Sequence, residues 1–363
     1  MQVAEAPATR EELCSALAAA GETRTPVRFR GGGTKSGWPP PASPETLELS
    51  TAGLTQIVEH NAGDLTAVLE AGVPLAEAQP LFATEGQRLA LDPPDNGGAT
   101  IGGVVASGDT GPLRGRYGGP RDLVVGIRVA LSDGTLAKSG GKVIKNVAGY
   151  DIAKLFSGSF GTLGAIVEVS VRLHPVAPDT ATALGESSDP DELARGAAAI
   201  AQSPLEHHGI DVAWQSGRGR VLARFAGAAP RPQAEAAEKL LRTEGLATDV
   251  VDEDEPLWDD QRVAQRGPLV VKVSSLPTRL PRLLRTASEL GGSLVGRAAL
   301  GLSWMRFEEP AAADVERLRQ EFIAVVHDRP ADLEVDPVGP IDPATRALMQ
   351  RVKERFDPAA VCV

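Results

Sequence analysis

Glycine placement constrains this chain more than any other feature of its sequence. Of 363 residues, 39 are glycine, and 26 of those lie between Gly21 and Gly164. An ordinary chain carries about 7 %. Glycine is kept where the backbone must take φ > 0 or come close to another group. The first half therefore reads as built on tight turns and close approaches, and the second half as ordinary. Most of the surplus falls in three ribbons, Gly31–Gly37, Gly97–Gly119 and Gly140–Gly164.

Composition narrows the class. A hydrophobic share of 42 % with 23 % charged residues is globular, and the length suggests two domains. Glycine has no every-third-residue period, so collagen is excluded. A net charge of −11 and only 4 % aromatic residues argue against a nucleic-acid surface. They leave room for a few cations focused on a small anion. Cys14 and Cys362 stand near opposite ends and form neither a metal spacing nor a disulfide framework, which suits a reducing cytosol. The segment Met1 to Gly21 carries Glu5, Glu11 and Glu12 and no apolar run, unlike a signal peptide. No transmembrane segment is expected, since no stretch approaches about 18 uncharged apolar residues.

Periodicity places the elements. Thr9 to Ala20 reads as a capped helix, with Glu12 three residues after Thr9. Val27–Arg30, Thr46–Leu49 and Leu65–Glu70 read as strands, and the stretches around Leu54 to His60 and Leu75 to Phe82 as helices. Leu123–Leu131 and Ala165–Leu173 are longer strands, and 175–190 reads as a linker. Beyond it, Asp191–Gln202, Pro232–Thr243, Pro281–Leu290 and Val315–Val326 read as helices, with strands at Val221–Phe225 and Leu269–Val273. This second part is expected to be an α+β domain with an antiparallel sheet. A final helix spans Pro343–Phe356.

The first ribbon follows a strand, and successive N–H groups in Gly31-Gly32-Gly33-Thr34-Lys35-Ser36 can form an anion nest. Two familiar phosphate loops fail on spacing. A dinucleotide fingerprint needs glycine where Ser36 stands, and a P-loop needs glycine where Thr34 stands. A glycine-rich hairpin turn is the plainer alternative. The second ribbon holds Ile101, Val104 and Val105, which would bury and tie it down against a flat or charged ligand. The third sets Lys145, Asn146, Tyr150 and Asp151 among glycines.

The segments RGGGTKSGW, GDLTAVLEAG, LDPP, ATIGG, GPLRGRYGGPRDLVVG, KNVAGYDIAKL and GSFGTLGAI occur in this order. Together they resemble the flavin-binding fold of the vanillyl-alcohol oxidase superfamily (the PCMH-type FAD-binding fold). Within it they are similar to the FAD-binding subunits of bacterial glycolate oxidases. The resemblance implies an α+β protein: a PCMH-type FAD-binding domain of two α+β subdomains over 1–178, an α+β cap domain over 179–332, and a C-terminal segment, 333–363, returning to the first.

The resemblance also implies site roles. Arg30, Gly31, Gly32, Gly33, Thr34, Lys35 and Ser36 would hold the pyrophosphate of FAD. Pro94, Thr100, Ile101, Gly102, Gly103, Ser107 and Gly108 would lie along the pyrophosphate and flavin. Gly161, Thr162, Gly164 and Ile166 would line the adenine and ribose side. The flavin motifs hold no histidine or cysteine, so FAD is expected to be non-covalent. No metal is expected; His207-His208, without acids at ligand spacing, reads as an exposed loop pair.

For a small 2-hydroxy acid, the protein must supply a cation for the carboxylate while a hydride passes to the flavin. Lys145, Tyr150 and Arg306 are the candidates, with Arg262 or Lys272 as alternatives to Arg306. Two cysteines cannot hold an iron–sulfur cluster. A glycolate oxidase-type complex, with a sister FAD subunit and an iron–sulfur subunit, is therefore the expected setting. Its location would be cytoplasmic, or peripheral at the inner membrane through partners. The alternatives are an electron-relay or structural FAD subunit, or a stand-alone FAD-dependent oxidase of an alcohol or sugar.

Overall fold

The computed structural model describes residues 4–95, 97–142 and 151–363. They form two compact units. The first comprises the chain up to Thr110, Tyr117–Val176 and Pro340–Val363; the second comprises Gly111–Arg116 and Ala177–Gly339.

In the first unit, the helix Arg10–Thr23 starts at a capping box. Thr9 Oγ1 accepts from the Glu12 N–H at 3.1 Å, and the Glu12 carboxylate accepts from the Thr9 N–H at 3.3 Å. Its apolar face, Leu13, Leu17 and Ala20, packs on Val27 and Leu49 of a parallel sheet ordered Ala4–Glu5, Leu47–Ser50, Val27–Arg30. A five-stranded antiparallel sheet follows in the order Ile57–Asn61, Thr66–Glu70, Ala165–Arg172, Val124–Ala130, Leu136–Gly140. Its middle strand is buried along almost its whole length, which explains the near-continuous apolar run AIVEVSV.

The C-terminus belongs to this unit. The helix Pro343–Phe356 is followed by a bridge from Cys362 to Val27, and Val361 and Cys362 join the core under the first helix. Lys353 Nζ donates to the Thr162 carbonyl at 2.8 Å, to Asp357 Oδ2 at 2.5 Å and to the Cys362 carbonyl. Burial opposes ionisation of Asp357. Hydrogen bonds from Lys353, the Cys362 N–H and Ser132 outweigh it and hold the carboxyl below its ordinary value. Burial pushes the Cys362 thiol up to about 12.

The Asp357 shift has a sign. A carboxyl with a depressed folded pKa stabilises the fold above its ordinary pKa and loses that contribution as pH falls through the folded value. The segment from Asp357 onward is therefore expected to detach first on acidification below about pH 4. Hydrogen exchange would read it at the Val27 N–H, which donates to the Val361 carbonyl at 2.6 Å. Unchanged protection of Val27 down to pH values where the rest of the unit opens would refute it.

The second unit is one eight-stranded antiparallel sheet. Its order is Ala247–Val251, Asp179–Ser187, Arg218–Gly227, Gly209–Gln215, Ser293–Arg297, Leu302–Phe307, Leu269–Ser274, Ile323–Val326. The helices Pro190–Ala201, Pro230–Thr243, Leu280–Glu289 and Ala312–Arg319 bury their apolar faces on one side of it. On the other side lies the helix Glu255–Val263. Trp258 Nε1 donates to Thr182 Oγ1 at 2.9 Å, and Asp254 accepts from Thr180 and Thr182 at 2.8 and 2.7 Å. Cross-strand partners Asp211 and Arg297 form a buried ion pair at 2.7 Å, 0 % and 1 % exposed. The Arg297 guanidinium also stacks 4.8 Å from the Trp304 ring centre.

Three sequence expectations change here. The stretch around Leu54 to His60 is not helical; Ile57–Asn61 is an edge strand paired with Thr66–Glu70. The linker 175–190 contains the nine-residue strand Asp179–Ser187. The helix expected to reach Val326 ends at Arg319, and Ile323–Val326 is a strand. In each case pairing with a neighbouring strand overrides local spacing.

Candidate FAD site

Three stretches of the first unit line one cleft that encloses about 900 Å³ of empty space, its open mouth included. The first is the loop after the strand Val27–Arg30, from Gly31 to Ser36. The second is the helix Ile101–Ser107 with its N-cap Thr100, whose hydroxyl accepts from the Gly103 N–H at 3.3 Å. The third is the turn Phe160–Ile166. The helix is amphipathic in an unusual sense. Ile101, Val104 and Val105 are buried, while Gly103, Ala106 and Ser107, three and four residues apart, face the cleft. The third stretch hangs on this helix: the Gly158 N–H donates to the Val105 carbonyl at 3.0 Å and the Phe160 N–H to the Ala106 carbonyl at 2.9 Å.

Of the expected cofactor residues, Arg30, Gly31, Gly32, Gly33, Thr34, Lys35, Ser36, Thr100, Gly102, Gly103, Ser107, Gly161, Gly164 and Ile166 line this cleft. Four expected residues stand behind it. The Pro94 carbonyl accepts from Lys35 Nζ at 2.7 Å. Ile101 is 1 % exposed in the core. Gly108, at φ +66°, ends the helix in the left-handed region. The Thr162 hydroxyl donates to the Ser159 carbonyl at 2.7 Å.

Most of the glycines answer to the protein itself. A Cβ on Gly32 would lie 1.6 Å from the Gly98 carbonyl oxygen, and one on Gly31 would lie 2.2 Å from Thr100 Oγ1. At Gly102 it would meet Ala71, and at Gly164, where φ is +137°, the Ala130 carbonyl at 2.6 Å. Gly103 is different. Its Cβ would approach only Thr100 Oγ1, at 3.1 Å, and would otherwise project into the cleft. The one neighbour is a hydroxyl, which a Cβ would displace by a few tenths of an ångström, and no backbone atom stands in the way, so the cradle fits a flat cofactor lying against the backbone.

Sequence reasoning missed several lining residues: Arg28, Phe29, Pro39, Glu48, Thr51, Ala106, Phe160 and Ala165. One carries a signal. Phe160 takes φ +52°, uncommon for a bulky residue, and its ring lies 6.2 Å from that of Trp38. Its place inside the GSFGTLG turn imposes that conformation. The others are small, lie on strands or, like Pro39, sit in the loop after the first ribbon, and nothing in their spacing sets them apart.

Lys145 and Tyr150 lie outside the described residues. Arg306, in the second unit, is paired with Glu308 at 2.6 Å. Arg262 is paired with Glu255 at 2.7 Å and with Asp259. Lys272 is half-buried on the strand Leu269–Ser274. His207 and His208 are half-buried rather than exposed: the His208 N–H donates to the Arg224 carbonyl at 2.7 Å. Burial, with Arg116 adding to it, holds His207 below the ordinary imidazole value. Among the described residues, no group of three His, Cys, Asp or Glu side chains could hold a metal ion.

Within the first unit, segments of a three-stranded and a five-stranded sheet meet at one glycine-lined cleft, the arrangement of a PCMH-type FAD-binding fold. Residues 1–140 match the family model described as an FAD binding domain, so the first unit carries a domain of that family and FAD is its cofactor. Relatives extend the match. The chain is 36 % identical over 153 residues to the glycolate oxidase subunit GlcE of Escherichia coli, covering 42 % of this chain and 43 % of that protein. It is 35 % identical over 171 residues to the D-lactate dehydrogenase of Archaeoglobus fulgidus, covering 47 % of this chain and 38 % of that one. The matched stretch thus spans less than half of either relative. An alkyldihydroxyacetonephosphate synthase structure shares the fold at a TM-score of 0.73 with 15 % identity, covering 98 % of this chain and 74 % of that one. No helix among the described residues is long and apolar enough to cross a membrane.

Proposed function

We propose that this chain is the FAD-binding subunit of a 2-hydroxy-acid dehydrogenase of the glycolate oxidase type, with glycolate or a similar acid as substrate. The observation that carries the reading is Gly103, a glycine on the cleft wall whose added Cβ would meet one hydroxyl, Thr100 Oγ1 at 3.1 Å, and no backbone. Residues Arg30 to Ser36 and Thr100 to Ser107 hold the phosphates and the flavin, and Gly161 to Ile166 the adenosine side. Binding is non-covalent, since no histidine or cysteine side chain is among the described residues of the cleft wall. The first unit is the cofactor domain, the second the substrate domain, and the C-terminal segment completes the first. When bound, FAD supplies a hydride acceptor. The chain's own task is to fix the acid's carboxylate and keep its alcohol carbon oriented. Lys145, Tyr150 and Arg306 are the candidates for that task.

A second reading has its own support. Arg306 and Arg262 are both engaged by acids within the second unit. A guanidinium already paired has less to offer a substrate carboxylate. In this reading the chain relays electrons, or its FAD is structural, and a sister FAD subunit oxidises the acid while an iron–sulfur subunit takes the electrons. Anaerobic mixing decides between the two. Bleaching of the isolated chain's flavin by glycolate or D-lactate supports the first reading. Bleaching only with partner subunits present supports the second, and no bleaching under either condition refutes both.

A further inference from the structure

The first glycine loop carries one cation at its centre, and the structure uses that cation internally. Lys35 Nζ lies 3.0 Å from Asp109 Oδ2, with the two side chains 10 % and 1 % exposed. It also donates to the Pro94 carbonyl at 2.7 Å and sits 5.5 Å from the centre of the Trp38 ring. Asp109 is fixed in turn, since its Oδ1 accepts from the Thr110 N–H at 2.9 Å. A single ammonium thus ties together the loop 31–37, the Pro93-Pro94 turn and the end of the helix Ile101–Ser107. The same two ribbons interlock through the close approach of Gly31 to Thr100 and of Gly32 to Gly98.

We infer that Lys35 is a positioning residue whose buried pair with Asp109 pins the first glycine loop onto the second ribbon. The Lys35 ammonium is then spent on Asp109, and the phosphates held by the loop are met by its backbone N–H groups and by other cations. This rests on the assignment of FAD to the cleft. The reasoning is electrostatic. A buried lysine paired with a buried aspartate forms a unit of zero net charge, so it adds little to the field felt by a diphosphate. Among the described residues of the cleft wall, Arg28 and Arg30 are the other cations that can face an anion, and Arg30 is half-exposed beside Glu48 at 3.1 Å. What Lys35 contributes is the geometry of the loop. Removing either partner leaves the other charged and buried, which disturbs the loop more than removing both.

The test is a mutant cycle read in two ways on the full chain. FAD dissociation constants are measured from low to high NaCl for the unmodified chain, Lys35→Met, Asp109→Asn, Lys35→Met with Asp109→Leu, and Arg30→Gln. Melting temperatures of the FAD-free proteins are measured alongside. Each single change at the pair is expected to weaken FAD binding by at least about tenfold. The double variant should bind no more weakly than the worse single, and its salt dependence should match the unmodified chain. Arg30→Gln should flatten the salt dependence. The melting temperatures should show the same coupling between the two positions.

Three results would overturn the assignment. One is a flattened salt dependence in Lys35→Met, which would make Lys35 a direct partner of the phosphates. Another is tighter FAD binding by Asp109→Asn, which would mean that Asp109 merely competes for the ammonium. The third is effects that multiply, or failure of the double variant to fold. If the unmodified chain binds no FAD, the proposed function fails, while the melting temperatures still report whether the pin exists.

Discussion

Replacing Gly103 by valine yields a folded chain that carries no FAD. A side chain at this position meets one protein atom, Thr100 Oγ1 at 3.1 Å, and otherwise fills the cleft. The residue is helical, so φ raises no objection. A β-branched residue in a short helix costs about 0.5 kcal/mol of propensity or less, and glycine there was the worse helix former. The fold should survive while the cofactor's approach to the backbone does not. Circular dichroism and the ratio of visible flavin absorbance to protein would read the two effects separately. Retention of a full equivalent of FAD would remove Gly103 from the site. The neighbouring glycine provides the contrast. At Gly102 a Cβ would lie 2.6 Å from Ala71 Cβ and 2.8 Å from its carbonyl oxygen, so Gly102→Val should fail to fold.

The second large effect is on stability. Changing Arg297 to methionine leaves Asp211 charged at 0 % exposure, opposite it on the adjacent strand. Breaking a buried pair by removing one partner costs about 3–5 kcal/mol. The lost stacking on Trp304 and the lost hydrogen bond from Arg297 Nε to the Gly111 carbonyl at 3.2 Å add to it. Replacing both partners by apolar residues, Asp211→Leu with Arg297→Met, should recover most of the loss, because no unpaired charge then remains. Urea unfolding followed by tryptophan fluorescence suits the measurement, since Trp214, Trp258 and Trp304 all lie in the second unit. A loss below about 1 kcal/mol in the single variant, the range of an exposed pair, would show that the pair is solvated in solution.

The elements most legible in the sequence were those whose stability is local. The helix Pro343–Phe356 begins at Asp342, whose carboxylate accepts from the Ala344 and Thr345 N–H groups, and proline opens its first turn. Both features can be read without a structure. Ile57–Asn61 could not be read in that way. Leu54, Ile57 and Val58 have helical spacing, and only the strand Thr66–Glu70 beside it decides the conformation. Asp179–Ser187 was hidden differently. Its inward residues, Ala181 and Ala183, are small and leave no strong apolar signal, although both are fully buried.

The site divides along the same line. Glycine clustering pointed to the cleft, because glycine marks close approach from the sequence alone. It did not say what approaches. Gly31, Gly32, Gly102 and Gly164 yield to the protein's own backbone or side chains, whereas at Gly103 a Cβ would meet a single hydroxyl and otherwise face the cleft. Nor could spacing reveal that Lys35 spends its charge on Asp109, or that Lys353 reaches the Thr162 carbonyl 191 residues away. Long-range pairs of this kind are set by the fold and leave no mark on the intervening residues.

The return of the C-terminus to the first unit sets an order of events during synthesis. Val361 and Cys362 fill the core beneath the first helix, and Cys362 lies beside Val27 at the root of the first glycine loop. Every residue of the second unit is translated before Pro340. That unit can therefore close on itself before residues 340–363 are made, whereas the first unit is completed only after them.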